Sequence, residues 1–255
     1  MNLRDLCVSV VILTTEKRRA QQKHRVVPLN IILRKMKITK LSLRTAYLKT
    51  LQEFYSSVLE LPVEQTDEKE IKIKVGSSEL IFTDATTNEP FYHYAINIPA
   101  NKIEEAKAWL SGKVKLLWME DYENDIADFV NWHAKSVYFY DPAGNIVELI
   151  VRFDLANSDN ETFSASQFLS VNEVGLVFTN ENFEKEIMML ETLYSLSYFD
   201  KQLPLPKFRA LGDDHGLFVI VPEHRNWYPT DKPSEIFPMT VEFDNRGKSY
   251  SLGSV

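Results

Sequence analysis

The sequence predicts an α+β protein assembled from repeated β-α-β-β-β modules, and three observations carry that prediction. A strand–helix–strand pattern opens at Ile38, opens again at Phe91 and a third time at Val171. Two stretches match internally, Gly76-x-x-Glu79-Leu80-Ile81 and Gly144-x-x-x-Glu148-Leu149-Ile150, one residue out of phase. The segment Val137–Ile150, VYFYDPAGNIVELI, reads as strand, tight turn, strand. Its ends are β-branched and aromatic, and Asp141-Pro142-Ala143-Gly144-Asn145 is turn chemistry. An internal repeat of this size decides the architecture before any single element does.

In the first module, ITKLSLRT (38–45) is a strand. Leu48, Leu51, Phe54, Tyr55, Val58 and Leu59 then fall at helical spacing until Leu61-Pro62 stops the helix. Short strands follow around Val63, over Ile71–Val75 and over Glu79–Thr83. The second module has a strand over Phe91–Ile98 and a helix over Asn101–Leu110, with Asn101 as its expected N-cap. A strand over Val114–Trp118 and a polar loop over Met119–Ala134 lead into the 137–150 hairpin. Residues 154–168, DLANSDNETFSASQF, read as a linker, placed at 153–170 between a complete two-module domain (36–152) and a second, incomplete one (171–255). That second part holds a strand VNEVGLVF, a helix from Asn182 to Leu196, strands at Lys207–Leu211 and Gly216–Val221 around a turn at Gly212-Asp213-Asp214, and a fourth module begun at Phe237–Phe243. The exposed sheet edge of so short a module predicts either a homodimer or docking against residues 36–152.

Composition narrows the function. The chain has 255 residues, 44% hydrophobic and 12% aromatic, with one cysteine, Cys7. A single cysteine excludes an internal disulfide framework and a thiolate zinc site, and fits a reducing, cytoplasmic setting. No apolar run reaches the roughly 18 residues of a membrane span. The net charge of −7 divides unevenly: residues 1–35 hold eight Lys/Arg against two Asp/Glu, and the remaining 21 basic and 34 acidic residues leave the body at −13. An acidic body argues against nucleic acid as a partner. Residues 1–35 read as an extension ahead of a domain start at Met36, since their apolar run (Leu6–Leu13) precedes its basic cluster, the reverse of a secretory signal.

LKTLQEFYSSVLELP and YFYDPAGNIVEL resemble the first helix and the closing hairpin of the vicinal oxygen chelate superfamily, which includes glyoxalase I, extradiol dioxygenases, fosfomycin-resistance enzymes and bleomycin-resistance proteins. The resemblance covers residues 36–152 and, with weaker matches, 171–243. It implies curled mixed sheets whose concave face holds a divalent metal, with ligands drawn from the first, fourth, fifth and eighth strands. Carried onto this sequence, the eighth-strand carboxylate is Glu148, the fifth-strand ligand His93, the fourth-strand acid Glu79, and the first-strand position Lys40. A protonated lysine has no lone pair for a metal. Lys40 therefore either pairs with Glu148 or Glu79 in a metal-free pocket, or points away and leaves His93, Glu148 and Glu79 to bind Fe, Mn, Ni or Zn.

Two functions follow from the resemblance. One is a metal-dependent lyase or isomerase acting on a small oxygenated molecule, in which Glu148 moves a proton. The other is a metal-free small-molecule binding protein, with a module whose cup is filled by side chains standing behind both. A single histidine in position disfavours extradiol ring cleavage, and no nucleotide cofactor is implied. His133 is a candidate acid or base at the mouth of the cup, and Lys40, Trp132, Tyr138 and Tyr140 are candidate substrate contacts. In the third module Glu173 takes the first-strand ligand position and Pro238 the fifth-strand one, which predicts no complete second metal site. His215 and His224-Arg225-Asn226-Trp227 lie near a hairpin end, as a lip over the cup, an interface, or plain surface loops.

Overall fold

A computed structural model describes residues 35–85 and 89–254. The expected N-terminal extension falls on residues 1–34, outside the described residues. The first module comprises β1 (Lys37–Thr45), α1 (Leu48–Glu53, continued by a π-helical turn Phe54–Val58), β2 (Val63–Asp67), β3 (Glu70–Val75) and β4 (Ser78–Asp84). The second comprises β5 (His93–Asn97), α2 (Ile103–Ser111), β6 (Ala127–Phe129), β7 (Ala134–Tyr140) and β8 (Ile146–Arg152). The third has β9 (Ser170–Phe178), α3 (Phe183–Tyr194), β10 (Arg209–Asp213) and β11 (Gly216–Pro222), and a β12–β13 hairpin (Met239–Asn245, Lys248–Ser254) forms the partial fourth.

These strands make two mixed sheets, ordered β13-β12-β1-β4-β3-β2 and β10-β11-β9-β5-β8-β7-β6. Each sheet therefore takes strands from both sides of residues 153–170. The first module pairs with the fourth through antiparallel β1 and β12, and the second pairs with the third through antiparallel β5 and β9. Residues 153–170 divide the chain without dividing the sheets, and they are not wholly polar in behaviour. Phe163 and Phe168 are buried against Trp109.

The sheets meet through one apolar core. Ile38, Leu41 and Leu43 of β1 and Leu80 and Phe82 of β4 share it with Tyr94 and Ile96 of β5 and Val147, Leu149 and Val151 of β8. Helices α1, α2 and α3 contribute Leu51, Leu110 and Ile187 to the same core. The outer face of the first sheet is polar and half-exposed, with Lys40, Glu79 and Glu242 on it. The outer face of the second sheet is covered, so every residue of β5, β8 and β11 is buried.

The 137–150 hairpin forms as its residues require. Asp141 Oδ1 accepts the amides of Ala143 and Asn145, and Gly144 sits at φ +77°, the left-handed region that glycine enters without a Cβ clash. Asn145 Oδ1 accepts the amide of Tyr92, tying the turn to the start of β5. Burial pushes the Asp141 carboxyl up to about 6, against hydrogen bonds from Asn145 and Tyr55 that favour its ionised form.

Three local expectations are corrected. Helix α2 starts at Ile103, and Asn101 is not its cap: the Asn101 side chain instead donates to the carbonyl of Asp159 and accepts its amide, pinning residues 153–170. Residues 114–118 are not a full strand, since only Leu116 bridges to Phe139, while the short β6 falls inside the predicted loop. Strand β10 runs through Gly212 to Asp213, so the turn lies at Asp214-His215.

Candidate metal centre

The bottom of the covered cup is built by three neighbouring strands of the second sheet. On β5, Ala95 has Glu148 of β8 as its Cα partner on one side and Glu173 of β9 on the other. Residues in register on adjacent strands point to one face. The two carboxylates therefore converge over the small Ala95 side chain, and His93, two residues earlier on β5, reaches the same face. Ligand atoms of His93, Glu148 and Glu173 all lie within 4.8 Å of one another, and all three residues are buried.

Each group is held by one atom and offers another. His93 Nδ1 lies 3.1 Å from the carbonyl of Ile146, which accepts its proton and leaves the Nε2 lone pair facing Glu148 Oε2 at 3.6 Å. Desolvation lowers the His93 pKa to about 4, so the ring is neutral at physiological pH. Ser136 Oγ donates to Glu148 Oε1, and the Tyr138 hydroxyl also hydrogen-bonds this carboxylate. Arg152 Nη2 donates to Glu173 Oε1. Burial first, and then the neighbouring charge of Glu173, push the Glu148 carboxyl up to about 8. Burial likewise raises Glu173, against the pull of Arg152.

This donor set fits a divalent cation. A neutral imidazole lone pair facing a carboxylate oxygen is unfavourable unless a proton or a metal lies between them. Without a metal, Glu148 holds a proton and Glu173 pairs with Arg152, and a bound cation would displace that proton. The partners that fix the outer oxygens and Nδ1–H are of the kind that orient metal ligands.

Above this floor lies a cavity of about 280 Å³, walled by Phe129, Trp132, Tyr138, Phe208, Trp227 and Tyr228. Trp132 Nε1 donates to Gln202 Oε1, fixing the indole. The Trp227 ring packs 5.2 Å from His93 and depends on Gly175 of β9, where a Cβ would lie 2.6 Å from the indole Cη2. Gly175→Ala is expected to shift tryptophan emission and to cost about 1–3 kcal/mol in urea unfolding, as overpacked cores do. An unchanged spectrum and midpoint would show that the indole has room to move.

The structure brings His93 and Glu148 together, as the sequence suggests, and corrects the third member. Glu79 stands on β4 in the other sheet, and its place is taken by Glu173 of the third module. Lys40 is also on that first sheet and pairs with neither expected acid. It bonds Glu242 at 2.9 Å, beside Glu79. Trp132 and Tyr138 line the cavity. Tyr140, on the same strand face as Tyr138, is 39% exposed at the strand end and does not line it. His133 is solvent-facing, paired with Asp154 at 2.8 Å, and also outside the cavity. Arg225 and Trp227 form part of the wall, whereas His224 is exposed and His215 borders a separate cavity with Lys35 and Asp213.

The paired modules and the site between them have a strict counterpart on the first sheet. There Lys40 of β1 is flanked in register by Glu79 of β4 and Glu242 of β12, as Ala95 is by Glu148 and Glu173. Where one cup has a methyl group and open space between two acids, the other has a lysine ammonium.

The fold is that of solved glyoxalase- and dioxygenase-type structures. No family model matches the chain, and no curated protein matches it. Among solved structures, a proposed dioxygenase of Bacillus subtilis strain 168 is similar at 12% identity over 86% of this chain and 85% of its own, with a TM-score of 0.54. Glyoxalase I of Zea mays is similar at 14% identity over 86% of this chain and 92% of its own, with a TM-score of 0.51. Likeness over that length means that the third and partial fourth modules belong to the shared architecture.

Proposed function

We propose that the cup between the second and third modules binds one divalent metal ion through His93, Glu148 and Glu173, and that the protein is a lyase or isomerase of small oxygenated molecules. The observation that supports this reading best is the convergence of three buried donors, each with its other atom already bonded. One imidazole and two carboxylates suit Mn, Fe, Ni or Zn. Bound there, such an ion would act as a Lewis acid on substrate oxygens.

The chain's own groups do the rest. Aromatic walls exclude water and orient a ligand of modest size. Glu148 is placed to take or return a proton, with Ser136 and Tyr138 holding its carboxyl in position. Ring cleavage with O₂ fits less well, because the usual iron triad has two histidines and one carboxylate. Among the described residues no helix is long and apolar enough to cross a membrane. A cytoplasmic setting and a small-molecule partner belong to this same reading.

A second reading has its own support. With Glu148 protonated and Glu173 paired to Arg152, the cup carries no unbalanced charge without a metal, and would then serve as a sequestering pocket.

Elemental analysis of untagged protein, stripped with chelator and dialysed against Mn, Zn, Ni or Fe(II), separates the two. About one ion per chain is expected in the wild type and in Glu79→Gln. A loss of affinity of 100-fold or more is expected in His93→Ala, Glu148→Gln and Glu173→Gln. Failure of the wild type to take up any of these metals would leave the sequestering pocket as the function.

A further inference from the structure

The cavity wall contains a cation that the metal centre does not use. Arg225 lines the same cup as His93, Glu148 and Glu173, is partly buried, and makes no ion pair among the described residues. Its guanidinium lies 5.3 Å from the Phe208 ring centroid, and its Nη1 reaches only the carbonyl of Asn226 at 3.5 Å. Burial lowers its pKa, with no acid acting to raise it.

The backbone beneath this side chain is firmly placed. The Arg225 amide donates to Ser234 Oγ at 3.2 Å, the Ser234 amide donates to the Arg225 carbonyl at 2.8 Å, and Ser234 is fully buried. A guanidinium presented from a pinned loop, partly desolvated and lacking a counterion, is arranged for an anion from outside.

The rest of the wall is mostly aromatic, with Gln202, Leu205 and Val219 beside the rings, and about 280 Å³ admits one or two rings.

We propose that the ligand of this cup is a small aromatic carboxylic acid, its ring system held between the aromatic walls and its carboxylate paired with Arg225. The orientation follows from charge. The acid group is drawn to Arg225 in the wall, which leaves the opposite end of the molecule facing His93, Glu148 and Glu173 at the floor. This inference rests on the cup being the ligand site and does not require the metal.

The test is isothermal titration of full-length protein with 2-naphthoate and with 2-naphthamide, its neutral isostere, in chelator-treated protein and again with Mn²⁺ added. The acid is expected to bind the wild type at least tenfold more tightly than the amide. In Arg225→Gln the acid should fall to the level of the amide, and Arg225→Lys should restore part of the preference. Equal affinities for acid and amide in the wild type would overturn the proposal. So would Arg225→Gln weakening both probes alike, or neither probe binding under either condition. Acid preference in protein that takes up none of Mn, Zn, Ni or Fe(II) would uphold this assignment while ending the metal reading. Mn²⁺ uptake without acid preference would do the opposite.

Discussion

Arg152→Met is expected to lower stability by about 3–5 kcal/mol, the range for breaking a buried ion pair by removing one partner. Arg152 has no exposed surface, yet it carries a permanent charge. Its Nη2 holds Glu173, its Nε donates to Asn172 Oδ1 at 2.8 Å, and its Nη1 approaches Asp214 at 3.4 Å. The rings of Trp132 and Phe199 flank the guanidinium at 5.7 and 5.5 Å. Methionine fills much of that space and replaces none of the donors. Glu173 would then be left buried beside Glu148 with no cation, and it would take up a proton to remain there. A domain of this size should lose on the order of 10 °C in melting temperature. Arg152→Met combined with Glu173→Leu should recover a large part of the loss, because it removes both charges together. A single variant as stable as wild type would show that Glu173 is already neutral and that the pair holds little of the fold. Lysine is no substitute at this position, since one ammonium cannot reproduce the planar fork.

The sequence carried the modules plainly and the site only partly. Strand periodicity outside residues 114–118, the Asp141–Asn145 turn chemistry and the helix of Leu48–Leu59 are local signals, and each appears where it was expected. His93 and Glu148 were legible for a local reason too: each is a polar residue inside an apolar strand. Glu173 sends the same signal within VNEVGLVF, but it reads as part of a separate second-domain site. Periodicity says which face a side chain takes, and not which strand lies alongside. Only the pairing of β9 with β5, between residues far apart in sequence, sets Glu173 opposite Ala95 and leaves Glu79 on the other sheet. Arg152 was missed because a cation at a strand end reads as surface, and its burial follows from Asn172, Glu173 and Asp214, all in the third module. Arg225 and Trp227 stood among the candidate lip residues, though nothing in their local sequence says which of the two sheets they cover.

The counterpart positions Ala95 and Lys40 lead to the second large effect. Ala95→Lys should make the occupied-by-lysine arrangement of the first sheet in the second. Its ammonium would extend from the floor between Glu148 and Glu173 and take the place of a bound cation. Metal affinity should fall by more than the 10–100-fold typical of changes to supporting residues, with the chain still folded. The pH dependence of stability supplies an independent readout. In metal-free wild type the folded Glu148 carboxyl titrates at about 8, whereas an unfolded glutamate titrates near 4.5. The folded state then binds this proton more tightly. Its contribution is fully present below pH 4.5 and is lost as pH rises through 8. His93 acts in the opposite sense at lower pH. Its pKa falls from 6.5 to about 4 on folding, so the stability it contributes is present above 6.5 and lost as pH drops toward 4. Between pH 6.5 and 8 the glutamate dominates, and metal-free wild type should lose up to about 1.4 kcal/mol per pH unit in urea unfolding. Lysine at position 95 would keep Glu148 ionised when folded and flatten that slope. A variant that keeps both the wild-type slope and the wild-type metal affinity would mean that residue 95 does not face the two carboxylates, and the equivalence of the two cups would fail with it.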